Sequence, residues 1–212
     1  MIHRPFVFIM AVSRHSIIAR EGQTAVLLSA LVAFAAHFQF AQWAMIFWLL
    51  TALLTWLYRD PARKIPSSPL TVVSPVDGTI TNIESTTDRF LKREALHIEI
   101  QMSLLGVFSL RSVTEGKVLQ IWQENNGHGK CIAIWIQTDE QDDTVLVIRP
   151  GRWLRRLAYH LAYGDRVGHG QRIGHILFGS RVDVFLPMNS RCRLETGVKV
   201  MAGSEPIAEF IH

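Results

Sequence analysis

The sequence predicts a β-rich, barrel-sandwich-like domain with an internal pseudo-repeat, preceded by an N-terminal hydrophobic helical hairpin. Three observations carry that expectation. From Gly22 to Tyr58 there is no Lys, Arg, Asp or Glu, a length of apolar chain that suits helices rather than strands. From Leu70 onward the apolar residues fall in short alternating or β-branched runs separated by turn signals. Finally, Gly164-Asp-Arg-Val167-Gly-His-Gly170 is echoed by Gly197-Val-Lys-Val200-Met-Ala-Gly203. Each is followed shortly by an aliphatic residue, Ile173 or Ile207.

The hairpin divides into residues 24–38 and 40–58, joined at His37-Phe38-Gln39-Phe40. Trp43, Trp48, Trp56 and Tyr58 are the kind of amphipathic rings that favour a membrane interface. Two full crossings need about 40 helical residues at 1.5 Å each, so the uncharged segment suits a tight or shallow hairpin. Arg4, Arg14 and Arg20 precede it and Arg59, Arg63 and Lys64 follow it, while the joint carries no charge. The positive-inside bias then puts both ends on the cytoplasmic face of a cell membrane. A secretory signal peptide fits poorly, because the apolar region is too long and no small-residue cleavage site follows. Pro61, Pro66 and Pro69 stop any helix. The expected division is therefore a membrane-associated segment, 1–66, and a β-rich domain, 67–212.

Composition narrows the partners. The net charge of +4 is modest and forms no long basic run, which argues against nucleic acid and for an anionic membrane surface. Cys131 and Cys192 have no metal-type spacing. No metal is expected, and free thiols in a reducing compartment or a single disulfide both fit.

Within the β region, Thr71-Val72-Val73 leads into the turn Ser74-Pro75-Val76-Asp77-Gly78. Residues 79–83 and 97–102 alternate, and 131–137 and 144–148 are β-branched and apolar. Residues 125–129 and 139–143 read as turns. One helix is expected over 152–162, from the spacing of Trp153, Leu154, Leu157 and Leu161. Short turns repeated between short strands suit a pseudo-symmetric sandwich like that of biotinyl and lipoyl domains. No carrier lysine stands at a hairpin tip, so carriage of such a cofactor is not expected.

Gly179-Ser180 sits between the apolar runs 176–178 and 182–186. As a bare dipeptide it reads as a turn or bulge. Chemically, a serine hydroxyl can attack the carbonyl of a preceding glycine, which has no side chain to obstruct it. β-Elimination of the resulting ester can leave the serine as a pyruvoyl group.

The flanks decide between these readings. Phe178-Gly179-Ser180-Arg181-Val182-Asp183-Val184-Phe185-Leu186-Pro187, preceded by Gly170-Gln171-Arg172-Ile173-Gly174, closely resembles the processing site of the short phosphatidylserine decarboxylase proenzymes. Ser74-Pro75-Val76-Asp77-Gly78 resembles that family's Ser-Pro-Ala-Asp-Gly turn, and Arg59-Asp60-Pro61 its Arg-Asp-Pro. Residues 149–157 are similar to its arginine-containing segment. Four fragments in the right order make the likeness specific, and it runs from about residue 16 to the end.

The resemblance implies autocatalytic cleavage at Gly179-Ser180 into chains 1–179 and 180–212, with a pyruvoyl group formed from Ser180. That group would take the amine of phosphatidylserine as a Schiff base and release carbon dioxide and phosphatidylethanolamine. It further implies that Asp77 orients or charge-stabilises the base serving the serine. Arg152, Arg155 and Arg156 could meet lipid phosphate or carboxylate, or form a solvated face near an anionic bilayer. Homo-oligomerisation is left open.

One segment departs from the pattern. After Met-Ser the short members carry Asn-Val-His-Val-Asn-Arg, where this chain has Gly106-Val107-Phe108-Ser109-Leu110-Arg111, so Phe108 falls on the histidine. Phenylalanine cannot move a proton. His97 and His175 are spatial substitutes to consider, neither assigned. The alternative function is a catalytically impaired, decarboxylase-like membrane protein that binds lipid or a partner. A secretion-type adaptor is disfavoured, since no long heptad pattern links hairpin and sandwich.

Overall fold

The computed structural model describes residues 17–39, 41–68, 70–126, 129–149, 157–177 and 181–211. The uncharged segment forms two packed helices, α1 (Arg20–Gln39) and α2 (Ala41–Leu57). Their buried positions are small, with Ala33, Ala36 and Ala44 nearly inaccessible, which lets two apolar helices approach closely. The larger residues point outward: Leu27, Leu28, Leu31, Phe34, Trp43, Trp48 and Leu53 are all exposed. Thr51 and Thr55 donate their hydroxyls to Phe47 O and Thr51 O within the helix, so neither asks for water. α1 is long and apolar enough to cross a membrane.

The ends of the hairpin are stitched together at the β domain. Ala19 N donates to Tyr58 O and Asp60 N to Ile17 O, each at 2.7 Å. A Cβ on Gly22 would lie 2.1 Å from Tyr58 Cγ, so only glycine lets α1 cross the buried tyrosine ring. Trp56 and Leu57 pack against the β core.

The β region has fourteen strands among the described residues. They are β1 (Thr71–Val73), β2 (Gly78–Asp88), β3 (Arg93–Met102), β4 (Ser109–Arg111), β5 (Gly116–Asn126), β6 (Gly129–Gln137), β7 (Asp143–Arg149), β8 (Leu157–Tyr159), β9 (Arg166–Val167), β10 (Arg172–Ile176), β11 (Arg181–Pro187), β12 (Arg191–Cys192), β13 (Lys199–Val200) and β14 (Pro206–Glu209). Eight of them form one curled half-barrel sheet in the order β13-β2-β3-β11-β7-β6-β5-β9. Two three-stranded ribbons, β1-β14-β12 and β4-β10-β8, share one apolar core with it through Val72, Leu110, Ile173, Ile176 and Ile207. The alternation seen in the sequence becomes one heavily apolar inner face, including Ile98, Ile100, Ile134, Leu146, Ile148, Val182, Val184 and Leu186. Burial of each such side chain is worth about 1.5–3 kcal/mol. The outer face carries a lighter cluster of Ala95, Ala133, Val145, Val147 and Phe185 under the stacked rings of Trp122 and Trp135.

The expected pseudo-repeat is present and extends further than its sequence echo. β9 pairs the start of β5 as β13 pairs the start of β2, and β4-β10 corresponds to β1-β14. Gly164 and Gly197 sit at φ of +87° and +88°, and Gly170 and Gly203 at +61° and +71°. The second half of the match lies in two turns, Ser74-Pro-Val-Asp-Gly78 and Ser112-Val-Thr-Glu-Gly116. In both, the serine hydroxyl donates to the carbonyl two residues on, at 2.7 and 2.6 Å. The two turns also exchange backbone bonds across the pseudo-axis, Val73 N to Val113 O and Arg111 N to Pro75 O, each at 2.9 Å.

One detail differs from the sequence reading. No helix is present in the described part of 152–162: residues 157–159 form β8, antiparallel to β10. The close approach there, where a Cβ on Gly174 would meet Ala158 O at 2.4 Å, pays off in ladder bonds that a helix could not make. Residues 150–156 lie outside the described residues. Both cysteines are free, with Cys131 on the outer sheet face and Cys192 on β12.

Alanine at either left-handed glycine of the repeat is strained by about 1–2 kcal/mol. Gly203→Ala should cost more than Gly170→Ala, because its Cβ would lie 2.7 Å from Arg111 Cδ whereas the other meets Ile65 at 3.1 Å. Chemical denaturation of the two variants checks the order.

Candidate active site

The site grows from the Ser74–Gly78 turn, which delivers Asp77 to a crossing of three segments. Asp77 Oδ1 accepts from Ala202 N at 2.7 Å, and Oδ2 from Val107 N at 3.0 Å. Arg63 Nη2 donates to the same Oδ2 at 2.8 Å. The fit is tight: a Cβ on Gly106 would fall 2.8 Å from Asp77 Cβ. The pseudo-symmetric counterpart, Glu115, is exposed, so only one copy of the turn has acquired this carboxylate seat. The sequence singled out Asp77 but gave no sign that Arg63, from the proline-rich exit, is its partner.

Val107 leads directly to Phe108, which is only 1% exposed. Phe108 meets Trp56 edge to face at 6.2 Å and His175 edge to face at 6.3 Å. His175 lies on β10 with 3% exposure, and its ring stacks on Tyr58 with centroids 5.0 Å apart. Among the described residues neither of its ring nitrogens has a hydrogen-bond partner. Burial pushes its pKa down from 6.5 to about 4, against the pull of Glu21 and the further push of Arg172, so the imidazole is neutral at neutral pH. Its cross-strand neighbour Ser109 likewise holds a buried hydroxyl with no partner among the described residues.

His97 is differently employed. It lies on the outer face of the sheet, stacked on Phe185 at 4.6 Å, with Nε2 3.0 Å from Asp183 and Nδ1 3.3 Å from Glu84. Burial works to lower its pKa, but the hydrogen bond and charge of Asp183, aided by Glu84, raise it. Asp183 is fully buried and also pairs with Arg149 at 2.8 Å. Arg181, two residues away on β11, faces Glu99 instead, and Arg172 is taken by Glu21 and Asp60. Asp183 stands mid-strand on the same sheet face as Phe185 and His97, and both His97 on β3 and Arg149 on β7 reach it diagonally across that face.

Below the hairpin an ionic seat surrounds Asp60 of Arg59-Asp60-Pro61. Asp60 Oδ1 accepts from Arg111 Nη2 at 3.0 Å, and Oδ2 lies 3.5 Å from Arg172 Nε. Arg172 also pairs with Glu21 of α1, which in turn meets His160 at 2.8 Å. Burial works to raise the Glu21 pKa, but its backbone hydrogen bond and Arg172 hold it below the usual carboxylate value. Arg59 donates to Leu105 O at 3.0 Å and lies over the Trp56 ring. Beside it, Leu104 and Leu105 stand 61% and 75% exposed.

Gly179 and Ser180 lie outside the described residues, as do Arg152, Arg155 and Arg156. The chain on either side is placed: β10 runs to Ile176 on the His175 strand, and β11 starts at Arg181 in the large sheet.

Comparison with known proteins accords with this frame. The family model described as phosphatidylserine decarboxylase matches residues 50–208. The chain belongs to the phosphatidylserine decarboxylase family. A phosphatidylserine decarboxylase proenzyme of Nitrosomonas europaea is 34% identical over 208 residues, covering 92% of this chain and 96% of that protein. One from Burkholderia ambifaria is 37% identical over 211 residues, covering 92% and 97%. No solved structure matches. Against the resemblance to this family, the position of its histidine is a buried, well-packed Phe108, and the nearest imidazole ring to it among the described residues is His175.

Two outcomes follow. Asp77→Asn places an amide group against donors on one side or the other, and should lower stability by roughly 2–3 kcal/mol in denaturant titration. His97→Asn removes a histidine whose folded pKa is raised. Its contribution is full below the unfolded value of 6.5 and is lost as pH rises through the folded value. The variant should therefore be destabilised more at about pH 5.5 than at about pH 9.

Proposed function

We propose that this chain is a self-cleaving, pyruvoyl-dependent phosphatidylserine decarboxylase working at the cytoplasmic face of a cell membrane. The observation that carries the reading is convergence at one end of the β domain. The Asp77 seat, position 108 and the strand entering Gly179-Ser180 all lie under the foot of an apolar hairpin whose outward residues suit lipid. Chain names among the relatives supply the substrate.

In this reading Ser180 Oγ attacks the Gly179 carbonyl carbon and the peptide C–N bond breaks, giving an ester. Loss of the Ser180 Cα proton then expels the Gly179 carboxylate from Cβ. Addition of water and departure of ammonia leave the pyruvoyl group on chain 180–212. Unspent hydrogen-bonding capacity close to Phe108, at the His175 ring and the Ser109 hydroxyl, fits a group made at this end of the fold. The group would supply an electron sink for decarboxylation. The protein's own residues do the rest. Asp77 fixes the turn and the Val107 backbone; Trp56, Tyr58 and Phe108 keep water from the floor of the site. The hairpin brings the site to the bilayer, so that the substrate keeps its acyl chains in lipid. Leu104 and Leu105 add apolar contact there. Arg152, Arg155 and Arg156 are the candidates to meet the lipid's phosphate or carboxylate.

Phe108 favours a second reading, a family member that no longer cleaves or decarboxylates and binds lipid or a partner instead. Intact mass under denaturing conditions separates the two. Protein purified from membranes should yield a 180–212 fragment whose blocked start reacts with a hydrazide, and Ser180→Ala should remain uncut. A wild-type chain of full mass would refute the enzyme reading; cutting of the alanine variant at the same bond would indicate an outside protease.

A further inference from the structure

We propose that His175 has taken over the acid–base role left vacant by Phe108, so that the proton relay of this chain enters from β10 rather than from the segment before β4. The inference rests on the self-cleavage reading above.

Four observations converge. The His175 ring is in edge-to-face contact with Phe108, the residue standing where the family resemblance has its histidine. Both ring nitrogens are buried and without partners among the described residues. Leaving a buried imidazole wholly unpaired costs about 1–3 kcal/mol, which a purely structural residue at this position could avoid by being leucine. Ile176 N donates to Phe108 O at 2.8 Å, so the backbones of the two segments are locked in register. The ring cannot drift from Phe108 without breaking the ladder. His175 also lies on the strand that runs into Gly179-Ser180, five residues before the serine.

The surrounding charges suit a base that stays neutral. Glu21 on α1 and Asp60 on the exit segment favour its protonation, and Arg172 on β10 opposes it. Both acids are themselves paired with arginine, Asp60 with Arg111 and Arg172 and Glu21 with Arg172, and Glu21 is also hydrogen-bonded to His160. Tyr58 covers one face of the ring. The other histidine considered, His97, is committed to Asp183 and Glu84 on the far face of the sheet.

In the step itself, one ring nitrogen of His175 accepts the Ser180 hydroxyl proton as Oγ bonds to the Gly179 carbonyl carbon. The same proton passes to the departing amide nitrogen as the C–N bond breaks. Proton and charge return to their starting count at the ester. Asp77 keeps the adjoining turn in place rather than charging the imidazole, since its oxygens are already taken by two backbone N–H groups and Arg63.

The test is the rate of self-cleavage, read by intact mass on full-length chains in lipid or detergent. His175→Leu and His175→Gln should each slow cleavage by about 100-fold or more, the usual worth of general acid–base catalysis, while melting cooperatively. Phe108→His combined with His175→Leu should restore cutting. The pH profiles should also separate. Wild-type cleavage should persist as pH falls toward about 4, the value of buried His175. The swapped double variant should lose rate on the acid side at higher pH, nearer an ordinary histidine. A folded His175→Leu chain that cuts at the wild-type rate overturns the inference and leaves the function intact. So does a slowed single variant that Phe108→His fails to rescue, because that marks a structural role. A wild-type chain that never cuts overturns both.

Discussion

The carboxylate of Asp77 is the point on which the rest of this molecule depends. A charged group taken out of water must have its lone pairs filled, and here they are filled by backbone from two remote segments and by an arginine from a third. Ala202 belongs to the C-terminal repeat, Val107 to the approach to β4, and Arg63 to the tether of the hairpin. Charge neutralisation in one place thus fixes the relative positions of the hairpin's tether, the C-terminal repeat and the approach to β4. Directional bonds of this kind do what an apolar core cannot, because burial is indifferent to register. The large sheet is stable through its inner face of isoleucine, leucine and valine. The site is accurate through three donors and one acceptor group.

The same logic explains why the fold is symmetric in its scaffold and asymmetric in its chemistry. Both turns keep the serine hydroxyl that closes them, and both hairpins keep two glycines in left-handed conformations. The two halves differ in the acid that each turn holds. Asp77 is enclosed, whereas Glu115 at the matching place faces solvent. On the other side of the axis, Arg111 rather than an aliphatic residue reaches across to Gly170 O and Asp60. The hairpin is therefore docked against the half that holds Arg111 and Arg172, and its foot closes over Phe108 and His175.

Much of this was legible in the amino-acid sequence, for identifiable reasons. Absence of charge over a long run marks the hairpin whatever the tertiary context, and β-branched alternation marks the sheet. The glycine echo marked the repeat because left-handed φ admits few other residues. The other half of the repeat was hidden, since Ser-Pro-Val-Asp-Gly and Ser-Val-Thr-Glu-Gly share a geometry with few identities. The segment 152–162 looked helical because Leu157 and Leu161 are apolar at helix spacing. Leu157 instead faces the core from a three-residue strand, a pairing decided by β10 from a distance. Partners of charged residues were the least readable: nothing local tells Arg63 to find Asp77, or Asp183 to find Arg149 and His97. The His175 ring, without a partner among the described residues, was equally invisible, because that is a property of the packed interior.

The location of β11 has a consequence for how the molecule tolerates being broken. It is not an edge strand; β3 lies along one side and β7 along the other. The chain that follows supplies β12 and β14 to one ribbon and β13 to the end of the large sheet. A severed backbone just before Arg181 would leave a short polypeptide woven through two layers, held on both flanks by hydrogen-bond ladders and by Val182, Val184 and Leu186 in the core. Dissociation of that polypeptide would require unfolding of its host. Covalent continuity would be dispensable at such a point, because pairing on both flanks of β11 already provides permanence.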